Sequence, residues 1–262
     1  MRKIAVVGFK GGIGKTTTCV NLGAGLALHG QKVLIIDTDT QANVATTLGI
    51  KEYKKSLTDI LNHKATAPEC ILHARSNLDM LPSDIGLFKA QQRMVLEMAR
   101  EEIFQELFAS LNGYDYHLLD CAPSVSLLTI NTLAYVDEVF VPVSMEMLAV
   151  SSINQFVNYL KNVNGILGRN TTIRLIIPTL YDPRRKISAQ VVHVLRKLGP
   201  MVADPIWIDT KLSEAPGEGK TIFEYAPRSR GAIGYAKLTE FVVNMPPLEQ
   251  NGTVKTQGSK PA

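Results

Sequence analysis

Gly8-Phe9-Lys10-Gly11-Gly12-Ile13-Gly14-Lys15-Thr16-Thr17 decides the reading of this chain. Before it stands Lys3-Ile4-Ala5-Val6-Val7, an apolar run of the kind that forms a strand buried on both faces. After it, residues 17–28 carry apolar side chains at helical spacing, and Gly30 marks the stop. In a strand, glycine-rich loop and helix of this order, backbone N–H groups can curl around an anion. The helix N-terminus adds partial positive charge. Gly11, Gly12, Ile13, Gly14 and Thr17 then belong to the phosphate cradle, Lys15 reaches the β- and γ-phosphates, and Thr16 places its hydroxyl on Mg²⁺. One loop needs only Lys15. Lys10, five residues earlier, has no work in its own subunit and asks for a phosphate held by a second copy of the chain.

Two carboxylate sites fit the same machine. Val33-Leu34-Ile35-Ile36-Asp37 reads as a second buried strand running into Thr38-Asp39-Thr40-Gln41, and Tyr116-His117-Leu118-Leu119-Asp120 is followed by Cys121-Ala122-Pro123-Ser124. An Asp at the carboxyl end of a buried strand can hold Mg²⁺, often through water. Open parallel sheets bind their ligands beyond those same ends. Together with the loop, Asp120 reads as a metal residue. Asp37 alone reads as a turn or helix-cap residue.

With these segments in place, the chain resembles the ParA/Soj/MinD family of deviant Walker A ATPases, nearest to the short ParA/Soj type. Leu212-Ser213-Glu214-Ala215-Pro216, Gly219-Lys220-Thr221-Ile222 and Ala226-Pro227-Arg228-Ser229-Arg230-Gly231-Ala232 extend the likeness over most of residues 1–244. The resemblance implies ATP and Mg²⁺ as cofactors and a homodimer in which Lys10 reaches across to the partner's nucleotide. It makes Asp39 the residue that orients the attacking water near the metal. It assigns Pro178 and Asp209 to the nucleotide pocket. Slow basal turnover, stimulation by a ParB-like or cargo-adaptor protein, and binding to DNA without sequence preference follow from the same likeness. The cargo would be a plasmid, a chromosome or a protein assembly spaced over the nucleoid. Two departures stand out: Thr40 replaces a common Pro, and Trp207 stands where relatives often have Pro. Trp207 is expected in the core.

The 262 residues, 45% of them hydrophobic, suit one α/β domain over residues 1–244 with a mostly parallel central sheet flanked by helices, a P-loop NTPase fold. Further strands are expected at 78–81, 116–120, 139–143, 173–178 and 205–208, and helices within 86–112, 147–165 and 187–198. Residues 245–262 read as a disordered tail. Cys19, Cys70 and Cys121 have neither disulfide nor metal spacing, so buried free thiols are expected. No apolar leader is read before Ile4, so a cytosolic protein is expected.

Charge is uneven. Residues 1–150 hold 13 Lys and Arg against 16 Asp and Glu, net −3; residues 151–262 hold 15 against 8, net +7. Arg184, Arg185, Lys211, Arg228 and Arg230 are the candidates for contacting DNA phosphates. A membrane-positioning ATPase of the MinD type is the competing reading, but Pro246 and Pro247 break the basic amphipathic helix that it would need, so no membrane partner is expected. Other P-loop enzymes of the superfamily share the loop. A cluster-bearing redox protein would need cysteines placed otherwise, and an amidating enzyme is not favoured by the Arg228–Arg230 segment.

Overall fold

The computed structural model describes residues 1–146, 148–246 and 248. The strands are β1 (Arg2–Val6), β2 (Val33–Asp37), β3 (Leu72–Arg75), β4 (Leu78–Leu81), β5 (Tyr116–Asp120), β6 (Glu138–Ser144), β7 (Thr172–Thr179) and β8 (Met201–Val202). They form one sheet in the order β3-β4-β2-β5-β1-β6-β7-β8, parallel except where β3 runs antiparallel to β4. The helices are α1 (Lys15–Leu28), α2 (Asn43–Thr47), α3 (Leu57–Leu61), α4 (Leu87–Met94), α5 (Ile103–Leu107), α6 (Leu127–Tyr135), α7 (Ala149–Leu167), α8 (Lys186–Leu195), α9 (Lys211–Glu214), α10 (Ile222–Tyr225) and α11 (Arg230–Val243). This is the expected α/β architecture.

Apolar runs make central strands here because both faces are covered. Ile4 and Val6 of β1, with Ile35 and Leu118, pack beneath α1 and α11 through Val20, Leu22, Tyr235 and Leu238. Ala5, Leu34, Ile36 and Leu119 face the other layer, where α4 to α8 contribute Leu87, Phe104, Leu128, Phe156 and Leu195. Each such side chain fully buried contributes about 1.5–3 kcal/mol. α1 and α11 approach so closely that a Cβ on Gly25 would lie 2.1 Å from Thr239 Oγ1.

Three expectations change. The segment 86–112 is not one helix: α4 and α5 are separated by turns in which Ala99 takes φ 50°. Residues 205–208 form no strand. Pro205 has no N–H to donate, and only an isolated bridge from Trp207 to Tyr181 forms, with Ile206 N on the Pro178 carbonyl and Ile208 N on the Tyr181 carbonyl, so the edge strand of the sheet is β8. The edge strand β3 was not expected; Leu72-His73-Ala74-Arg75 is largely half-buried and carries no apolar run.

The expected disordered tail lies outside the described residues except at 245, 246 and 248. Met245 is buried, and Arg174 donates to the Pro246 carbonyl at 2.6 Å. Farther along the molecule, Gly49 and Gly219, with φ of 75° and 63°, bring two loops together: a Cβ on Gly219 would lie 2.5 Å from Gly49 Cα. Among the described residues no helix is long and apolar enough to cross a membrane.

Candidate functional site

Sheet register sets the site. Val6 and Asp37 each lie opposite Asp120, so β1, β2 and β5 end at one level and the loop 8–14 leaves the sheet there. Gly12 and Gly14 take φ of 73° and 85°, a region that a side chain would strain. A Cβ on Gly11 or Gly12 would meet no atom of the described residues within 4 Å, so the face of the loop is open to a ligand. Gly14 begins α1 with no side-chain cap, which leaves the first-turn N–H groups without a side-chain acceptor. Ile13 is the buried anchor of the loop, and Thr179 Oγ1 donates to its carbonyl at 2.8 Å. The Thr17 carbonyl accepts from Asn21 Nδ2 at 2.8 Å, tying the first turn to α1 itself.

Lys15 is buried, with Nζ donating to the Lys10 carbonyl at 3.1 Å. Burial lowers its pKa, against the pull of the carboxylates Asp120 and Asp39. Thr16 Oγ1 donates to Asp120 Oδ2 at 2.6 Å. Asp120 is fully buried, and its Oδ1 has no partner among the described residues. Burial first, then the neighbouring Asp37, pushes its carboxyl well up. A buried carboxylate oxygen without a donor is costly, and a cation at that position would relieve the cost. The residues therefore fit Mg²⁺ beside Thr16.

Asp37 does what an isolated aspartate after a strand should do. Its oxygens accept from Asp39 N at 2.9 Å and Val44 N at 3.2 Å, closing the turn into α2. Burial raises its pKa to about 7. Asp39 is also buried; Oδ1 accepts from Gln41 N at 3.0 Å, and its carbonyl accepts from the Ser83 hydroxyl at the end of β4. Lys10 takes a different course from Lys15. Its ammonium leaves the loop and pairs with Glu146, on the turn between β6 and α7, both side chains being about half exposed.

The C-terminal candidates gather beyond β7. Pro178 is buried, and its carbonyl accepts from Ile206 N at 2.8 Å. Asp209 uses both oxygens on backbone, accepting from Lys211 N at 3.0 Å and Gly231 N at 2.8 Å. Although burial pulls its carboxyl upward, these hydrogen bonds leave it below the ordinary range. Trp207 is not in the core: it is 37% exposed, with the Arg230 guanidinium 5.3 Å from its ring centre and the Tyr181 ring 6.0 Å away. Backbone hydrogen bonds from Ile206 N to the Pro178 carbonyl and from Ile208 N to the Tyr181 carbonyl set that segment beside the end of β7 with the Trp207 ring at the surface, against the core expectation. Arg184 pairs with Asp182 at 2.9 Å, and Lys211 with Glu214 at 2.6 Å. Arg185 and Arg228 are exposed and make no ion pair among the described residues. Cys19, Cys70 and Cys121 are buried free thiols, as expected. Glu146, Ser83 and Thr179 are the contributors that motif reading missed.

A family model described as an AAA domain matches residues 1–174. The chain is 38% identical over 245 residues to the sporulation initiation inhibitor protein Soj of Bacillus subtilis, covering 91% of this chain and 97% of that protein. Among solved structures, cobyrinic acid a,c-diamide synthase from Mycobacterium smegmatis with bound ADP and magnesium superimposes with a TM-score of 0.80 at 27% identity, covering 93% of this chain and 94% of the other. The septum site-determining protein MinD of Pyrococcus horikoshii, complexed with Mg-ADP, gives a TM-score of 0.78 at 26% identity, with coverage of 93% and 96%. On these likenesses the chain belongs to the ParA/Soj/MinD family of deviant Walker A ATPases.

Proposed function

We propose that this chain is an ATP hydrolase that dimerises on ATP, binds DNA without sequence preference and thereby positions or segregates cargo. The observation that carries the reading is the division of labour between two lysines in one loop. Lys15 is buried in its own site, whereas Lys10 is half exposed and pairs with Glu146. The nucleotide and magnesium bound in the two solved relatives support ATP and Mg²⁺ as the ligands here.

In this reading the loop N–H groups and Lys15 bind the triphosphate, and Thr16 and Asp120 hold Mg²⁺. When bound, the ion neutralises phosphate charge. Asp39, held on two sides by Gln41 N and Ser83, orients the water that attacks the γ-phosphate. Lys10 extends to the phosphates of the partner subunit, so ATP stabilises the state in which it makes more contacts. A dimer presents the basic residues Arg184, Arg185, Lys211, Arg228 and Arg230 twice, and two-fold attachment to DNA is much tighter than one-fold. Hydrolysis removes the γ-phosphate contacts, and monomers leave. Positioning of water by one carboxylate gives a slow basal rate, which a ParB-like or cargo-adaptor protein accelerates. The protein acts in the cytoplasm over the nucleoid.

Replacing Lys10 by Ala abolishes ATP-dependent dimerisation, read by light scattering in Mg-ATP, while one-to-one nucleotide binding persists. A variant that dimerises like the parent refutes the trans role.

A further inference from the structure

Phe9, directly before Lys10, is half-buried and has no work in the phosphate cradle. Its ring lies 5.2 Å from that of Phe156 and 5.2 Å from that of Tyr159, in edge-to-face contact with both at interplanar angles of 78° and 70°. Phe156 and Tyr159 stand three positions apart on α7 and share one face of it. Phe156 is fully buried, and Ile153, Leu160 and Val163 fix the same helix to the core. The Tyr159 hydroxyl is buried without a partner among the described residues, so this tyrosine serves through its ring.

On the far side of Lys10 no side chain holds the loop. Gly11 and Gly12 have none, and a Cβ on either would meet no atom of the described residues within 4 Å. Beside the Phe9 ring, a cleft lined by Gly8, Lys10, Ser144, Leu148 and Ser152 parts the loop from the start of α7 and leaves the loop room to shift. The Lys10 backbone is thus held at its carbonyl, by Lys15 Nζ at 3.1 Å, and through the ring just before it.

We propose that Phe9 is a positioning residue: clamped against α7, it fixes the backbone from which Lys10 is sent to a partner's phosphates. The inference rests on the role given to Lys10 above and adds the support which that role requires. A lysine has a flexible stem, and holding its ammonium on an anion already costs rotamer entropy. A mobile backbone beneath it would raise that cost, because those dihedrals too would be ordered on docking. With the ring in its clamp, the backbone share is settled when the chain folds, before a partner arrives. The protomer's own nucleotide is held by other groups, the loop N–H donors, Lys15 and Thr16. Dimerisation therefore depends on the clamp far more than nucleotide binding does.

The experiment measures two constants on the full chain: one-to-one Mg-ADP binding by calorimetry, and the dimer dissociation constant in saturating Mg-ATP by sedimentation. It compares the parent, Phe9→Ala, Phe9→Leu, Phe9→Tyr, Phe156→Leu and Lys10→Ala, with thermal melts to confirm folding. An edge-to-face pair is worth about a factor of two to ten, and Phe9→Ala removes both, so its dimer dissociation constant should rise about tenfold while Mg-ADP affinity changes less than about threefold. Phe9→Tyr, which keeps the ring, should return to within about twofold of the parent. Phe9→Leu and Phe156→Leu should fall between, and they carry the same reading if the alanine variant does not fold. Phe9→Ala dimerising like the parent while Lys10→Ala is monomeric overturns the clamp alone. Equal loss of both constants, or no rescue by Phe9→Tyr, also overturns it, since Phe9 would then only shape the loop as a whole. Lys10→Ala dimerising normally overturns the trans lysine and the clamp with it.

Discussion

The strand-end edge and the basic C-terminal surface are both marked by charge, and they are built in opposite ways. At the edge, Asp37, Asp39, Asp120 and Lys15 are buried; Asp37, Asp39 and Lys15 are held by backbone groups, and Asp120 by the Thr16 hydroxyl. On the basic surface most cations settle within their own neighbourhood: Arg184 on Asp182, Lys211 on Glu214, Arg230 on Trp207. The edge gains specificity from enforced geometry and carries the cost of buried charge. The surface keeps its charge hydrated and adjustable, as the proposed contact with DNA phosphates of any sequence would require.

Breaking the edge should cost most. Lys15→Ala removes the one buried cation of the loop, and ATP turnover should fall by two to three orders of magnitude, measured as phosphate release. A loss below tenfold would mean that the loop binds its anion by backbone alone. Next in size is the surface. Changing Arg228 and Arg230 together to Glu should weaken DNA retention about tenfold or more and flatten its salt dependence by about two units of slope, with nucleotide affinity unchanged. Undiminished binding would move the contact to Arg184 and Arg185.

The smallest effect sharpens the comparison through pH. Asp37 has its folded pKa raised to about 7, above the ordinary aspartate value, so the folded state binds its proton more tightly than the unfolded chain does. That contribution favours folding at low pH and is lost as pH rises from about 4 through 7. Asp37→Asn should therefore compare better with the parent at pH 8 than at pH 5 in thermal melts of the ligand-free protein. A difference that does not vary with pH would show the carboxyl to be ionised throughout.

The edge was legible in sequence because its strands are continuous apolar runs with the chemistry at their ends. β2, β4 and β5 begin and end where those runs do. The β3 edge strand was not, since a largely half-buried strand needs no run. The break between α4 and α5 was hidden too: Leu87, Ala90, Met94 and Phe104 keep a buried face on either side of turns that composition does not announce. Trp207 misled because bulk signals burial on average, while a proline just before it and an arginine from α11 hold this one at the surface. Glu146 could not be found by motif, because its meaning comes from a lysine far away along the chain.

The meeting of Gly49 and Gly219 has a mechanical consequence. The two backbones approach with no side chain between them, and Arg75 latches the same place by donating to the Gly219 carbonyl and pairing with Glu224. Gly49 follows directly on α2, whose entry turn is tied to Asp37. A side chain at either glycine would therefore push the segment after α2 away from the one leading into α10.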